Sequence, residues 1–136
     1  MLNDGRRRLL ASLEITTAVG IILFWIAFFT VGLAPENAPA CYFAYEYSFP
    51  LPDGMLAVLL LTAGILLMLN KPRGFKLSMV AAGALVFLGF LDFSFNIQNG
   101  VYLPSTIDLV LNAFINIWCV GFGLALIIMI GRKAFA

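Results

Sequence analysis

The sequence has no histidine and few charged residues. Charged side chains make up 11% of the 136 residues, whereas a soluble domain carries about 25%. A water-soluble fold of this length needs polar side chains to cover its surface. The composition therefore argues against a soluble enzyme, a nucleic-acid-binding module and a disordered tail. The lack of histidine also removes the most common general base and the most common transition-metal ligand in proteins.

Cysteine is equally scarce, with Cys41 and Cys119 as the two thiols. They do not form a C-x-x-C pair, the usual arrangement of a reactive dithiol. Cys119 falls deep inside an apolar segment, whereas Cys41 lies in a connection, so we expect them too far apart for a disulfide. The sequence thus does not predict a thiol oxidoreductase.

Hydrophobic residues are abundant, at 62% of the chain. They form four apolar runs, at about 13–33, 53–70, 77–97 and 107–130. A bilayer core about 30 Å thick is crossed by about 20 helical residues. The sequence therefore predicts an all-α polytopic membrane protein, with residues 1–136 forming a single antiparallel four-transmembrane-helix bundle.

The basic residues indicate the orientation of these spans. Neither the 34–52 connection nor the 98–106 connection contains Lys or Arg. The positive-inside rule places basic segments in the cytoplasm, so we expect both termini there, in a plasma (inner) membrane. The first apolar run is longer than a signal-peptide core, and we expect it to be retained as a span. The eight basic residues lie before the first span, between the second and third, and after the fourth: Arg6, Arg7, Arg8, Lys71, Arg73, Lys76, Arg132 and Lys133.

Carboxylate and amide side chains gather in the half of the predicted bundle that has no basic residue. On the third and fourth spans they recur at helical spacing, so each set shares one face. A carboxylate buried there can be protonated, accept hydrogen bonds or bind a cation. The alternative is that these groups hydrogen-bond between helices and only hold the bundle together, or cap helix ends. The predicted ligand site comprises Asp92, Asn96, Asn112, Asn116, Asp53, Glu46 and Asp108.

The outer connection, 34–52, is rich in aromatic residues. Phe43, Tyr45, Tyr47 and Phe49 alternate, which suggests an extended strip, with a helix as the alternative. Such residues are typical of an aromatic belt at the headgroup boundary. The second interpretation is a lid over the acidic cavity, with Glu46 reaching inward and ring faces available to a cation.

Two further patterns concern helix contacts. Glu14 lies near the cytoplasmic end of the first span, where we expect it to snorkel to the interface or to pair with Arg73 or Lys76. Small residues four apart permit close helix approach. Two such pairs stand in the third and fourth spans, Ser78 with Ala82 and Gly121 with Ala125.

Three functions fit this sequence. The first is a small integral membrane protein that binds a cation, a cationic amphiphile or a lipid in the acidic, amide-lined cavity. The second is an accessory subunit of a larger membrane complex. The third is a membrane enzyme that uses intramembrane carboxylates as acid and base. The expected partners are the lipid bilayer and other membrane subunits or a second copy, with no nucleic acid; no cofactor can be identified and no metal site is predicted.

Overall fold

The computed structural model describes residues 2–35 and 37–134, and these residues form helices without strands. Four of the helices are long and apolar enough to cross a membrane, which confirms the prediction of an all-α protein with four candidate spans. In chain order the helices are α1 (Asp4–Val31), α2 (Tyr42–Glu46), α3 (Pro50–Met68), α4 (Pro72–Gln98) and α5 (Thr106–Ala134).

The helices extend beyond most of the apolar runs seen in the sequence. The largest difference is in α1, which begins at Asp4, whereas the apolar run begins near residue 13. Asn3 caps this helix, because its side-chain oxygen accepts a hydrogen bond from the Arg6 amide at 2.8 Å. Hydropathy marks where a helix becomes apolar, whereas capping groups mark where it begins.

The aromatic connection contains the short helix α2. An extended strip across Phe43, Tyr45, Tyr47 and Phe49 was therefore the wrong alternative, and helical spacing was correct. Backbone hydrogen bonds of helical type continue to either side of α2, from Tyr45 to Cys41 and from Tyr47 to Phe43. These bonds satisfy the backbone locally, in a segment that has no neighbouring strand to pair with.

The long helices pack in chain order: α1 against α3, α3 against α4, and α4 against α5. The fully buried side chains between them are mostly leucine and alanine, including Leu60, Leu85 and Leu126. A hydrogen bond of 3.1 Å from the Trp118 indole to the Thr17 hydroxyl also joins α5 to α1. The first and last long helices are thus in contact.

Glycine determines how closely α4 and α5 approach. A Cβ at Gly89 would lie 3.1 Å from the Asn116 carbonyl oxygen, and a Cβ at Gly123 would lie 2.8 Å from the Ala82 carbonyl oxygen. By contrast, a Cβ at Gly121 would meet nothing within 4 Å. Gly121 therefore does not form this contact within the chain, because it lies two residues, and thus about 200° of helical rotation, from Gly123. A close approach of Gly121 and Ala125 to a second copy stays a prediction.

Candidate functional site

Three partly buried carboxylates lie at one end of the molecule, which we call the acidic end: Glu46, Asp53 and Asp92. Each comes from a different helix, α2, α3 and α4 respectively. Their charges are close enough to act on one another, because Asp92 and Asp53 both contribute to the raised pKa of Glu46. These three members of the predicted site therefore come together in the structure.

Asp92 is linked to α2 through Tyr45. The Tyr45 hydroxyl donates a hydrogen bond of 2.7 Å to Asp92 Oδ1. The Tyr45 ring also stacks on Phe95, one turn along α4, with 3.7 Å between ring centroids and 1° between planes. A polar and an aromatic contact thus hold α2 against α4, directly beside the carboxylate.

Asp53 lies in the first turn of α3, after Pro50 and Pro52. Its Oδ2 accepts a hydrogen bond of 2.9 Å from the indole nitrogen of Trp25 on α1. Trp25 is buried and packs edge-on against Phe28. The carboxylate therefore joins two helices through an aromatic donor, and it also lies where the positive end of the α3 dipole stabilises negative charge.

Burial and neighbouring acids perturb the ionisable groups of α2. Burial, followed by the charges of Asp92 and Asp53, raises the pKa of Glu46 from its usual 4.5 to about 7. Burial also raises the pKa of Tyr42 and Tyr45 well above the usual range, and nearby carboxylates add to both shifts. Both tyrosines therefore stay protonated at neutral pH, and Tyr45 acts as a hydrogen-bond donor to Asp92.

The asparagines Asn112 and Asn116 of the predicted site form hydrogen bonds with groups other than Asp92. Asn112 donates to the Asp108 backbone carbonyl within α5 at 2.9 Å. Asn116, which is buried, donates to the Tyr102 hydroxyl at 2.6 Å. Asn96 is buried one helical turn from Asp92. The carboxylates, together with Tyr45 and Trp25, thus form the better-defined part of the site.

Ser105 caps the start of α5, and Asp108 lies in the first turn of that helix. The Asp108 backbone amide donates to the Ser105 hydroxyl oxygen at 3.0 Å, and the same hydroxyl lies 2.8 Å from Asp108 Oδ2. Its charge nevertheless reaches the site, because it contributes to the raised pKa of Tyr42. Asp108 therefore has a structural role as the partner of the capping Ser105 and an electrostatic one at the acidic end.

The acidic end has no cationic side chain of its own. The sequence contains neither Lys nor Arg from residue 9 to 70 or from 77 to 131. Within the ranges the structure describes, no three His, Cys, Asp or Glu side chains are grouped as a metal site requires. Oxygen acceptors flanked by aromatic rings suit an organic cation.

The opposite end, which we call the basic end, contains Arg7 and the α3–α4 turn. The Arg7 guanidinium donates to the carbonyl oxygens of Leu67 and Met68, the latter at 2.9 Å, and pairs with Asp4 at 3.1 Å. It thereby satisfies the Met68 carbonyl at the end of α3 and adds a second donor to the Leu67 carbonyl, which also accepts a hydrogen bond from the Asn70 amide at 3.0 Å.

The prediction for Glu14 was wrong. The side chain is fully buried, and neither carboxylate oxygen has a hydrogen-bond partner among the described residues. Among the described residues the one ion pair is that of Arg7 with Asp4. Glu14 therefore does not pair with Arg73 or Lys76. The side chain packs toward Gly64 of α3 rather than along the helix to the interface.

Sequence reasoning also missed the donors to the carboxylates. Trp25 gave no signal, because an isolated Trp in an apolar run fits a lipid-facing position as well as a buried one. Tyr45 belonged to the aromatic segment that was interpreted as a belt at the headgroup boundary or as a lid over the cavity, but its hydroxyl was not assigned a partner. The available signal was the combination of an indole or phenol donor with carboxylates at the same predicted depth.

These features define a class: a small all-helical protein with four helices suited to a membrane and an acidic, aromatic-lined end. Over residues 5–130 the sequence matches the model of a family described as a domain of unknown function, DUF8058, and the chain belongs to this family. No curated protein and no solved structure matches the chain. The family description specifies neither an activity nor a ligand.

Proposed function

We propose that the protein is an integral membrane protein that binds a small organic cation, or the cationic headgroup of an amphiphile, at the acidic end. In this proposal the four long helices form an antiparallel transmembrane bundle with both termini in the cytoplasm. Basic residues at the basic end support this orientation through the positive-inside rule. The site then faces the extracytoplasmic side.

The observation that carries the proposal is the set of three carboxylates without a cationic partner. Asp53 and Asp92 each accept one hydrogen bond from an aromatic donor, which leaves lone pairs on both carboxylates available. Their mutual repulsion, together with that of Glu46, falls when a positive charge lies between them. The ring faces that the stack of Tyr45 on Phe95 leaves uncovered offer further attraction to a quaternary ammonium group.

The site residues have separate roles in this proposal. Asp92 is the main anion, since it lies farthest inside its helix from the acidic end, with Glu46 and Asp53 at the mouth. Asn96 orients the ligand from one turn away. The α5 side of the site is formed by Asn112, Asn116 and Asp108. These residues hold that side of the site in position.

The alternative function is that of an accessory subunit of a larger membrane complex. Large apolar side chains are exposed along the long helices, including Leu23, Phe87 and Ile128. Lipid or partner helices can cover them equally well. An orphan subunit purified alone would aggregate in detergent, whereas a self-sufficient binding protein would be monodisperse.

The test measures ligand-dependent thermal stabilisation of the purified protein in a neutral detergent. The probes are choline and 3,3-dimethylbutanol, which have nearly the same shape but differ in charge, with sodium chloride to match ionic strength. Binding to the folded state stabilises it by about 2.7 kcal/mol at 100 times the dissociation constant. We expect choline to raise the melting temperature and its neutral analogue to leave it unchanged.

The matched variants are Asp92→Asn at the site and Asp4→Asn at the basic end. Both remove one negative charge, so they have the same effect on the net charge of the protein. We expect the choline response to be lost in Asp92→Asn and kept in Asp4→Asn. The proposal is wrong if the parent does not distinguish the two probes, or if Asp92→Asn responds as the parent does.

A further inference from the structure

A second carboxylate site lies in the basic half of the molecule, far from the acidic end. Glu14 is ten residues from the start of α1, or about 15 Å along the helix axis. The side chain is 0% exposed, and both of its oxygens lack a hydrogen-bond partner among the described residues. Polar groups in such positions are rare in folded proteins, and each one requires an explanation.

Three helices enclose this carboxylate. On α3, a Cβ at Gly64 would lie 2.9 Å from the Ala11 carbonyl oxygen and 3.4 Å from Glu14 Cβ, so the backbones of α1 and α3 are in close contact. On α4, Ser78 is fully buried and is the polar neighbour of the carboxylate. These small residues leave little room for water beside Glu14.

Among the side chains that the structure describes, no charged group compensates an ionised Glu14. On α1, Arg7 is two turns away, or about 10 Å, and its guanidinium is engaged by Asp4 and the end of α3. The ionisable residue of α3 is Asp53, which lies at the acidic end. On α5, from Thr106 to Gly131, the ionisable groups are Asp108, which also lies at the acidic end, and the Cys119 thiol. On α4, Arg73 and Lys76 form no described ion pair. Burial strongly disfavours the charged form of a carboxylate that has neither hydrogen-bond donors nor a cation beside it.

The hydrogen bond of Ser78 indicates that the site suits a neutral carboxylic acid rather than an ionised carboxylate. The Ser78 hydroxyl donates its single proton to the Gly74 carbonyl oxygen at 2.9 Å. With that proton engaged, the Ser78 oxygen is available to the neighbouring Glu14 as an acceptor, which a carboxylic acid O–H can use and an ionised carboxylate cannot. A protonated Glu14 would then extend this hydrogen bond into a chain from Glu14 through Ser78 to Gly74.

We propose that Glu14 is a proton-binding site, that the structure represents its protonated state, and that release of the proton requires α1 to move away from α3 and α4. On release, the Glu14 O–H bond breaks, the proton passes to water that enters the opened contact, and the carboxylate becomes hydrated. Rebinding of a proton reverses these steps and closes the contact. This inference does not depend on cation binding at the acidic end.

The first experiment detects the proton directly. Infrared spectra of the full-length protein in lipid vesicles at pH 7 are compared with those of Glu14→Gln, which keeps the shape of the neutral acid. We expect the variant to lose one carbonyl band of a protonated carboxylic acid, whereas Asp4→Asn retains it. An unchanged band intensity in Glu14→Gln overturns the proposal.

The second experiment uses the unmodified sequence, so it does not depend on the folding of a variant. Dicyclohexylcarbodiimide enters membranes and reacts with protonated carboxyl groups in apolar surroundings. Mass spectrometry after treatment at pH 7 should find the adduct on the peptide containing Glu14 and not on exposed Asp4. Absence of the adduct at Glu14 overturns the proposal.

The third experiment tests the link between proton release and helix contact. In D₂O, the acid band of Glu14 should shift slowly, because exchange needs the contact to open. Gly64→Ala places a methyl group 2.8 Å from the Ile15 side chain and should accelerate this exchange. Gly54→Ala is the control in the same helix, since its methyl group meets nothing within 4 Å. Equal exchange rates in the two variants refute the link.

Discussion

A close contact between α4 and α5 gives a quantitative prediction for two glycines of one helix. A Cβ at Gly123 would lie 2.8 Å from the Ala82 carbonyl oxygen and 2.7 Å from a methyl carbon of Val86. A Cβ at Gly121, two residues earlier, would meet nothing within 4 Å. Alanine at these positions therefore tests the packing of the two helices directly.

The difference between Gly123→Ala and Gly121→Ala isolates the cost of the steric contact. Both positions are inside α5, so the gain in helix propensity of about 1 kcal/mol from glycine to alanine is common to both variants. Overpacking a close contact costs about 1–3 kcal/mol. Because the obstacle at Gly123 includes a backbone oxygen, a side-chain rotation cannot relieve it. We expect Gly123→Ala to be less stable than Gly121→Ala by about 1–3 kcal/mol.

Unfolding by sodium dodecyl sulfate in mixed micelles, followed by circular dichroism or tryptophan fluorescence, measures this difference. Gly121→Ala should be as stable as the parent or slightly more stable. If the two variants have the same unfolding midpoint, the α4–α5 contact described above is wrong. If Gly121→Ala is the less stable variant, α5 is rotated so that its other face meets α4.

Three further predictions concern the two ends of the molecule. Arg7→Met should destabilise the protein by about 2–4 kcal/mol, because it removes charged hydrogen-bond donors from the end of α3. The control, Arg8→Met at an exposed position, should change stability by less than about 0.5 kcal/mol. Unfolding in mixed micelles measures both variants. Glu46 binds its proton more tightly in the folded chain, with a pKa of about 7 against 4.5, so stability should fall by up to about 3 kcal/mol as pH rises from about 4.5 to about 7. Glu46→Gln should flatten this dependence in unfolding experiments at several pH values, and an unchanged slope would contradict the assignment. Tyr45→Phe removes the hydrogen bond to Asp92 and keeps the ring stack, so it should cost about 1–2 kcal/mol, and an unaltered unfolding midpoint would show that the bond adds nothing.

The position of the spans was predictable because it depends on local composition. About 20 successive apolar residues cross a bilayer core whatever their neighbours are, and each of the four runs gave a helix. The convergence of Glu46, Asp53 and Asp92 at one end was also predictable. It follows from the position of each residue along its span and from the reversal of direction at each connection.

The contacts between helices were decided by the tertiary structure. Each long helix is apolar on nearly all sides, so its hydrophobic pattern does not indicate which face turns inward. A rotation of about 200° separates Gly121 from Gly123, and only the packing of α5 on α4 selects between them. In the same way, the orientation of α1 about its own axis buries Glu14 and brings Trp25 to Asp53, and the packing of α2 brings Tyr45 to Asp92. The sequence therefore determined the depth of each polar group, whereas the tertiary structure determined the partner that each group faces.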